Sequence, residues 1–214
     1  MIISGSRVPE AAQLRARLAV IGAGPAGLVS ALEATRRGVA VIVIETGNTK
    51  QNPDYQMLSA AHLQDPGAHA PVELAVSRQI GGTSSIWGGR CVPYDPVDFM
   101  KRENTPDSVW PVDYEDVRRY FEPACEWFQC GRAIFDVHQL DHLPSQMIRG
   151  LTEGDVLTSS LERWSLPTDF GRVYAQQLHD TDALTVITDA TCTRIRLDDE
   201  RARVTTVDCK TVSG

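Results

Sequence analysis

The chain has no apolar run approaching the roughly 20 residues that a membrane-spanning helix needs. Its beginning, MIISGSRVPEAAQLRARLAV, lacks the basic, long-apolar, small-residue order of a signal peptide. There is no C-x-x-C, and the five cysteines, Cys91, Cys125, Cys130, Cys192 and Cys209, are odd in number. That argues against a disulfide framework and for reduced thiols in a cytoplasmic protein. Excess positive charge is missing too: 21 Lys and Arg face 28 Asp and Glu, a formal net charge of −7. Phosphate backbones and anionic lipid surfaces need clustered cations, so neither nucleic acid nor a membrane is expected as a partner. No G-x-S-x-G occurs, which removes the nucleophile elbow of a hydrolase. Low-complexity segments and internal repeats are also absent.

What is present is globular composition: 214 residues, 42% hydrophobic and 23% charged. A chain of this length buries roughly 70% of its unfolded surface, enough for a substantial core. From Arg17 the order becomes readable. "LAVIGAG" is an apolar run breaking into glycines, as a buried parallel strand does. "PAGLVSALEATRRG" sets Leu28, Ala31, Leu32 and Thr35 at helical spacing, with Pro25 at the start and Gly38 as a stop. "VAVIVIE" is a second apolar strand, so Arg17 to Glu45 reads as a βαβ unit.

Farther along, the pattern weakens. A short helix is expected near Tyr55–His62, and a longer one over residues 113–130, capped by Asp113 with Val117, Tyr120 and Phe121 on one face. A helix in "VYAQQLHD" precedes "ALTVITDATCTRIRLD", read as a strand pair or one bent strand. "RARVTTVDCKTV" alternates like an antiparallel strand, and an exposed edge near residues 203–212 would invite pairing.

Two glycine-rich segments carry the chemistry. The first, Gly22-Ala23-Gly24-Pro25-Ala26-Gly27, is G-x-G-x-x-G between a strand and a helix, answered by Glu45 at the end of the next strand. That context is what a dinucleotide fingerprint requires. Gly22 allows the tight turn, Gly24 lets a pyrophosphate approach the backbone, and Gly27 lets helix and strand pack closely. The helix N-terminus offers N–H groups to the phosphates, and Glu45 suits a ribose diol while repelling a 2′-phosphate. The second segment is "QIGGTSSIWGGRC", where small residues surround the single indole of Trp87. Either it is a mobile loop or something large and flat comes close to its backbone.

The order of this second segment, with Gly81, Gly82, Thr83, Ser84, Trp87, Gly88 and Gly89, resembles the flavin loop of the glucose–methanol–choline (GMC) oxidoreductases, in the pyranose-oxidase-like and sugar-dehydrogenase branch. The resemblance extends to "YDPVDF", "WPVDYEDVRRYFEPACEWF" and "LTVITDATCTRIRLD". It implies an α/β, Rossmann-type FAD-binding domain, a parallel sheet with helices plus an antiparallel β element, with the C-terminal substrate and catalytic part absent. On that reading residues 1–100 are the FAD-binding segment with the flavin loop. Residues 101–171 are a helical or irregular insertion toward the substrate region, and 172–214 return to the FAD-binding domain. Gly82, Thr83 and Ser84 would lie nearest the phosphates and ring edge, and the backbone of Cys192 near the adenine. Where family members attach FAD covalently a His is common, and Ile86 holds that position here, so FAD is expected to be noncovalent.

In that family the flavin N5 accepts a hydride from a carbinol while a His takes the hydroxyl proton. None of His62, His69, His138, His142 and His179 aligns with that base, so no catalytic residue is assigned. His138 and His142 share a spacing that zinc ligands use, but they lack a third partner and read as surface residues. Cys125, Cys130 and the aromatics from Trp110 to Phe128 read as core.

Three functions follow. The favoured one is the FAD-binding part of an oxidoreductase acting on a sugar, glycoside or other alcohol, with a complementary chain supplying the catalytic part or with homo-oligomers forming. A flavoenzyme of another class, amine oxidase-like, is disfavoured by the Trp-Gly-Gly loop. A disulfide reductase is disfavoured by the lack of a C-x-x-C or C-x4-C pair near the flavin. A truncated, non-catalytic module would be colourless and would not take up added FAD.

Overall fold

In the computed structural model, which describes residues 1–104, 109–141, 148–151, 154 and 156–212, the apolar runs around the first glycine motif become strands of one parallel sheet. The chain forms two units. The first is Met1–Trp87 with Asp169–Gly214, and the second is Gly88–Thr168. The sequence had placed these boundaries at residues 100 and 171, so Gly88 and Gly89 fall in the second unit. The first unit begins with β1 (Ile2–Ser4), β2 (Leu18–Ile21), α1 (Pro25–Arg36), β3 (Val41–Ile44), α2 (Pro53–Met57) and α3 (Val72–Ala75). The second carries β4 (Arg90–Cys91), α4 (Tyr114–Arg118), α5 (Phe121–Phe128) and β5 (Arg163–Trp164). The chain returns to the first with α6 (Phe170–Val173), α7 (Ala175–Asp180), β6 (Leu184–Thr188), β7 (Thr191–Leu197) and β8 (Val204–Lys210).

The parallel sheet runs β1-β6-β3-β2. Its centre is apolar and β-branched, with Val41, Val43, Leu184 and Val186 no more than 2% exposed. Leu18–Ile21 pair in register with Val41–Ile44, which pair in turn with Leu184–Ile187. Against β2 and β3 lies α1, its stripe of Leu28, Ala31 and Leu32 buried as its spacing requires. Fully burying each such leucine contributes about 1.5–3 kcal/mol. Gly38, at φ +75°, ends the helix turn, its N–H donating to the Thr35 carbonyl at 2.9 Å. As the outermost strand, β2 leaves Ile21 half exposed.

β1 was not read from the sequence: three residues are too short to show a period. It lies parallel to β6, and the Met1 amine donates to the Leu184 carbonyl at 2.9 Å. The run from Ala183 to Asp198 splits at Asp189 into a sheet strand and one arm of a two-stranded antiparallel hairpin, β7 with β8. In the second unit the expected helix over 113–130 is broken into α4 and α5. Pro123 lies in the first turn of α5, and without an N–H it cannot continue the α4 ladder. Asp113 does start α4, its N–H donating to the Asp116 carboxylate at 3.3 Å. Tyr120, expected on the apolar face, is 57% exposed at the break.

Where β6 ends, one carboxylate gathers the sheet's carboxyl edge. Asp189 is 6% exposed and accepts from Ser4 Oγ at 2.6 Å, from Asn48 Nδ2 at 2.8 and 2.9 Å, and from Thr188 Oγ1 at 3.2 Å. β1, β6 and the segment after β3 thus meet on one side chain. Burial pushes the Asp189 carboxyl up, but these donors together outweigh it and hold it below the ordinary aspartate value. The same burial, and then Asp189 itself, pushes the Tyr55 hydroxyl up. A depressed folded-state pKa gives stability that is present above the unfolded value of about 3.9 and is lost as pH falls from there through the lowered folded value. Asp189→Asn keeps the side-chain shape and tolerates the local φ of +55°. It is expected to lower stability at pH 7 by about 1.5–3 kcal/mol. It should also flatten the acid limb between about pH 5 and 3 in denaturant melts.

Candidate cofactor site

The two glycine segments meet inside the first unit, backbone against backbone. Gly81 donates its N–H to the Ala23 carbonyl at 2.8 Å. Gly82, at φ +54°, sits so close to the first turn that a Cβ there would lie 2.9 Å from Gly24 Cα. On the other side, a Cβ on Gly81 would lie 2.4 Å from the Gly171 nitrogen at the start of α6. Ser84 completes the wedge: it is 5% exposed, donates to the Gly81 carbonyl at 2.6 Å and accepts from the Phe170 N–H at 3.0 Å. Its hydroxyl is therefore engaged within the fold. Thr83, next to it, is exposed.

The first glycine turn divides by role. A Cβ on Gly27 would lie 2.0 Å from the Gly22 carbonyl oxygen, so that residue is needed for helix-on-strand packing. Gly24 is different. It has an ordinary φ of −74°, and a Cβ built on it meets no atom within 4 Å. Neither dihedral nor its own packing requires glycine there. Gly24 is also the N-cap of α1, where it supplies no side-chain cap, and Pro25 follows at N1. The first-turn N–H groups of a helix have no intrahelical acceptor, so the N–H groups of Ala26 and Gly27 point toward this open ground with the helix dipole's positive end. An open, side-chain-free anion cradle fits a dinucleotide pyrophosphate.

Glu45 closes the floor. It is 6% exposed, with Oε2 accepting the Ala23 N–H at 2.7 Å and Oε1 the Gly47 N–H at 2.8 Å. Each oxygen retains a second lone pair, so a ribose hydroxyl is compatible with both bonds. Asp189 and Asn48 belong to the same edge and were missed in the sequence. The signal available, an Asp directly after an apolar strand, is shared by many turns. Asp189 donates its N–H to the Gly47 carbonyl at 2.9 Å, and Ala190 donates to the Glu45 carbonyl at 3.0 Å, so the edge is laced to Glu45.

The remaining sequence candidates are more scattered. Trp87 is half-buried and Ile86 is 53% exposed. In the second unit, Gly89 at φ +89° packs against the Ser165 carbonyl, which accounts for its own glycine, while Gly88 is exposed. Cys192 is half-buried on β7, opposite Cys209. His138 is exposed and bonded to Asp136 at 2.7 Å, and His142 lies outside the described residues. Among the described residues no group of three His, Cys, Asp or Glu could hold a metal ion. A cavity lined by Leu14, Val41 and Asp182 lies at the opposite, amino end of the strands, away from both glycine segments.

These packings predict separable effects. Gly27→Ala and Gly82→Ala each push a Cβ into backbone and should cost about 3 kcal/mol in urea melts. Gly24→Ala should cost less than about 1 kcal/mol. Glu45→Gln sets an amide N–H against one of two backbone N–H groups and should cost about 1–3 kcal/mol.

Comparison with known proteins places this geometry. Residues 17–54, spanning β2, α1, β3 and the start of α2, match the sequence model of a family described as FAD binding domain. No curated protein matches the chain. Pyridoxine 4-oxidase from Mesorbium loti aligns with 94% of this chain at a TM-score of 0.51 and 15% identity, over 47% of its own length. A fungal aryl-alcohol oxidase aligns with 94% of the chain at a TM-score of 0.54 and 13% identity, over 43% of its length. The chain thus spans less than half the length of either solved protein. No described helix is long and apolar enough to cross a membrane. The fold is that of an α/β FAD-binding domain, a parallel sheet with helices and an antiparallel hairpin.

Proposed function

We propose that this chain is the FAD-binding part of a GMC-type flavoprotein oxidoreductase that acts on the CH–OH group of a sugar, glycoside or other alcohol. The observation that carries the reading is Gly24, a residue whose missing side chain the fold itself does not need, at a helix N-terminus where a pyrophosphate belongs. Gly22, Gly24 and the N–H groups of Ala26 and Gly27 would hold the diphosphate, with Glu45 at the ribose. Thr83 carries the exposed hydroxyl of the second segment and would face the flavin side. When bound, FAD supplies the two-electron acceptor that oxidation of a CH–OH group requires. FAD is noncovalent on this reading, because Ile86 cannot form a covalent link to it.

Completion by further polypeptide, a complementary chain or another copy, belongs to the same proposal, and so does a cytoplasmic setting. The sheet supports it. β2, which leads into the glycine turn, is paired among the described residues on one side only, by β3. An edge of this kind is a template for another strand.

Titration of purified protein with FAD tests the proposal. Flavin fluorescence should quench on binding, the visible band near about 450 nm should appear, and acid precipitation should release all of the flavin. Gly24→Val should weaken FAD binding by about a hundredfold or more while leaving the melting temperature of the flavin-free protein near wild type. Failure to bind FAD, or binding that Gly24→Val leaves untouched, overturns the reading.

A further inference from the structure

Three of the five cysteines converge in the second unit, and the local backbone explains how two of them meet. α5 ends with Gln129 at φ +52°, its N–H donating to the Glu126 carbonyl at 3.1 Å and the Cys130 N–H to the Cys125 carbonyl at 3.1 Å. This is the Schellman pattern of helix termination, which sets the side chains third from the helix end and second beyond it against each other. Here both are cysteines. Cys130 Sγ lies 3.6 Å from the Cys125 carbonyl oxygen, so the two thiols are close neighbours. From β4, Cys91 pairs with Arg163 of β5, the residue whose Nε donates to the Cys130 carbonyl, which brings the Cys91 thiol into the neighbourhood of Cys130. Cys130 is thus flanked by two thiols, and its carbonyl is held by Arg163 Nε at 3.1 Å. Cys125 and Cys130 are each 4% exposed, whereas Cys91 is only half-buried. One of the three meets solvent.

We propose that Cys91, Cys125 and Cys130 form a dithiol–disulfide exchange site with Cys130 as the pivot, oxidised by small-molecule disulfides through Cys91. The Cys91 thiolate attacks one sulfur of the small disulfide, forming a mixed disulfide and expelling one small thiolate. The Cys130 thiolate then attacks Cys91 Sγ, expels the second small thiolate and forms the Cys91–Cys130 bond. Attack of the Cys125 thiolate on Cys130 Sγ shifts the bond to Cys125–Cys130 and returns Cys91 as a thiolate. The net reaction oxidises two protein thiols to one disulfide and reduces one small disulfide to two thiols. The two protons leave the protein thiols for solvent and reprotonate the departing thiolates.

Burial first, and Cys130 second, hold the Cys91 thiol at about 11. Burial and the same neighbour push Cys125 up to about 12. Thiolate is the attacking form, so entry is slow at neutral pH and the site answers sustained oxidation rather than a brief pulse. The C-x4-C spacing of Cys125 and Cys130 is legible in the sequence, but Cys91 joins them only through the fold.

The test uses the full chain, reduced, desalted and incubated with oxidised glutathione over a range of glutathione ratios, then acid-quenched, alkylated and mapped by mass spectrometry. The expected product is a chain about 2 Da lighter, restored by dithiothreitol, with Cys130 linked to Cys125 or to Cys91. Cys125→Ser should leave only the Cys91–Cys130 bond. Cys91→Ser should slow formation of Cys125–Cys130 by about tenfold or more. Persistent glutathione on Cys91 with Cys130 still alkylated overturns the proposal. So does a disulfide confined to Cys192 and Cys209. Mapping of the unaltered chain decides the matter even where a variant fails to fold.

Discussion

Everything at the candidate site depends on one contact between two stretches of main chain: the Gly81 N–H on the Ala23 carbonyl, with Gly82 laid against Gly24. Such closeness is possible because Gly81 and Gly82 carry no Cβ. It converts two segments separated by more than fifty residues of sequence into one wall. The consequence reaches past the contact itself. Because Gly81 also abuts the start of α6, and Ser84 bonds to Phe170, the returning chain is registered on the same wall and β6 is delivered to its place beside β3.

Two buried carboxylates then fix the carboxyl edge of the sheet, and they act in complementary ways. Glu45 ties main chain to main chain, joining the first glycine turn to the segment after β3. Asp189 ties side chains, taking donors from β1, β6 and the same segment. A buried charge is tolerable when its lone pairs are occupied by oriented donors, and it then rigidifies what it touches. An edge held from both sides has its geometry set by the chain's own hydrogen bonds.

The βαβ unit was legible because each step obeys a local rule: β-branched strands, a helix with one apolar stripe, proline at its start and glycine at its stop. The hairpin of β7 and β8 was legible for the same reason, through alternation. The split of the helix at Tyr120 was foreshadowed by Pro123, whose effect on the preceding turn depends on where the second helix starts. β1 is three residues long and owes its existence to pairing with β6, a partner nearly the whole chain away. Asp189 was invisible for a related reason: its donors come from three places, and no spacing encodes them. Cys125 and Cys130 were read as core thiols, which their burial bears out, while the third thiol beside them is a product of topology.

The glycines show why composition alone could not settle the question that the second segment raised. Backbone freedom there has two sources of demand. At Gly27, Gly81, Gly82 and Gly89 the fold consumes it, since each is pressed onto another piece of the protein. At Gly24 and Gly88 the fold does not. On the proposed reading, the open ground at Gly24, in front of helix N–H groups and beside a buried carboxylate, is where a pyrophosphate would lie. The protein's own packing thus accounts for most of the side-chain-poor backbone, and the exceptions are the positions where the proposed cofactor would come closest.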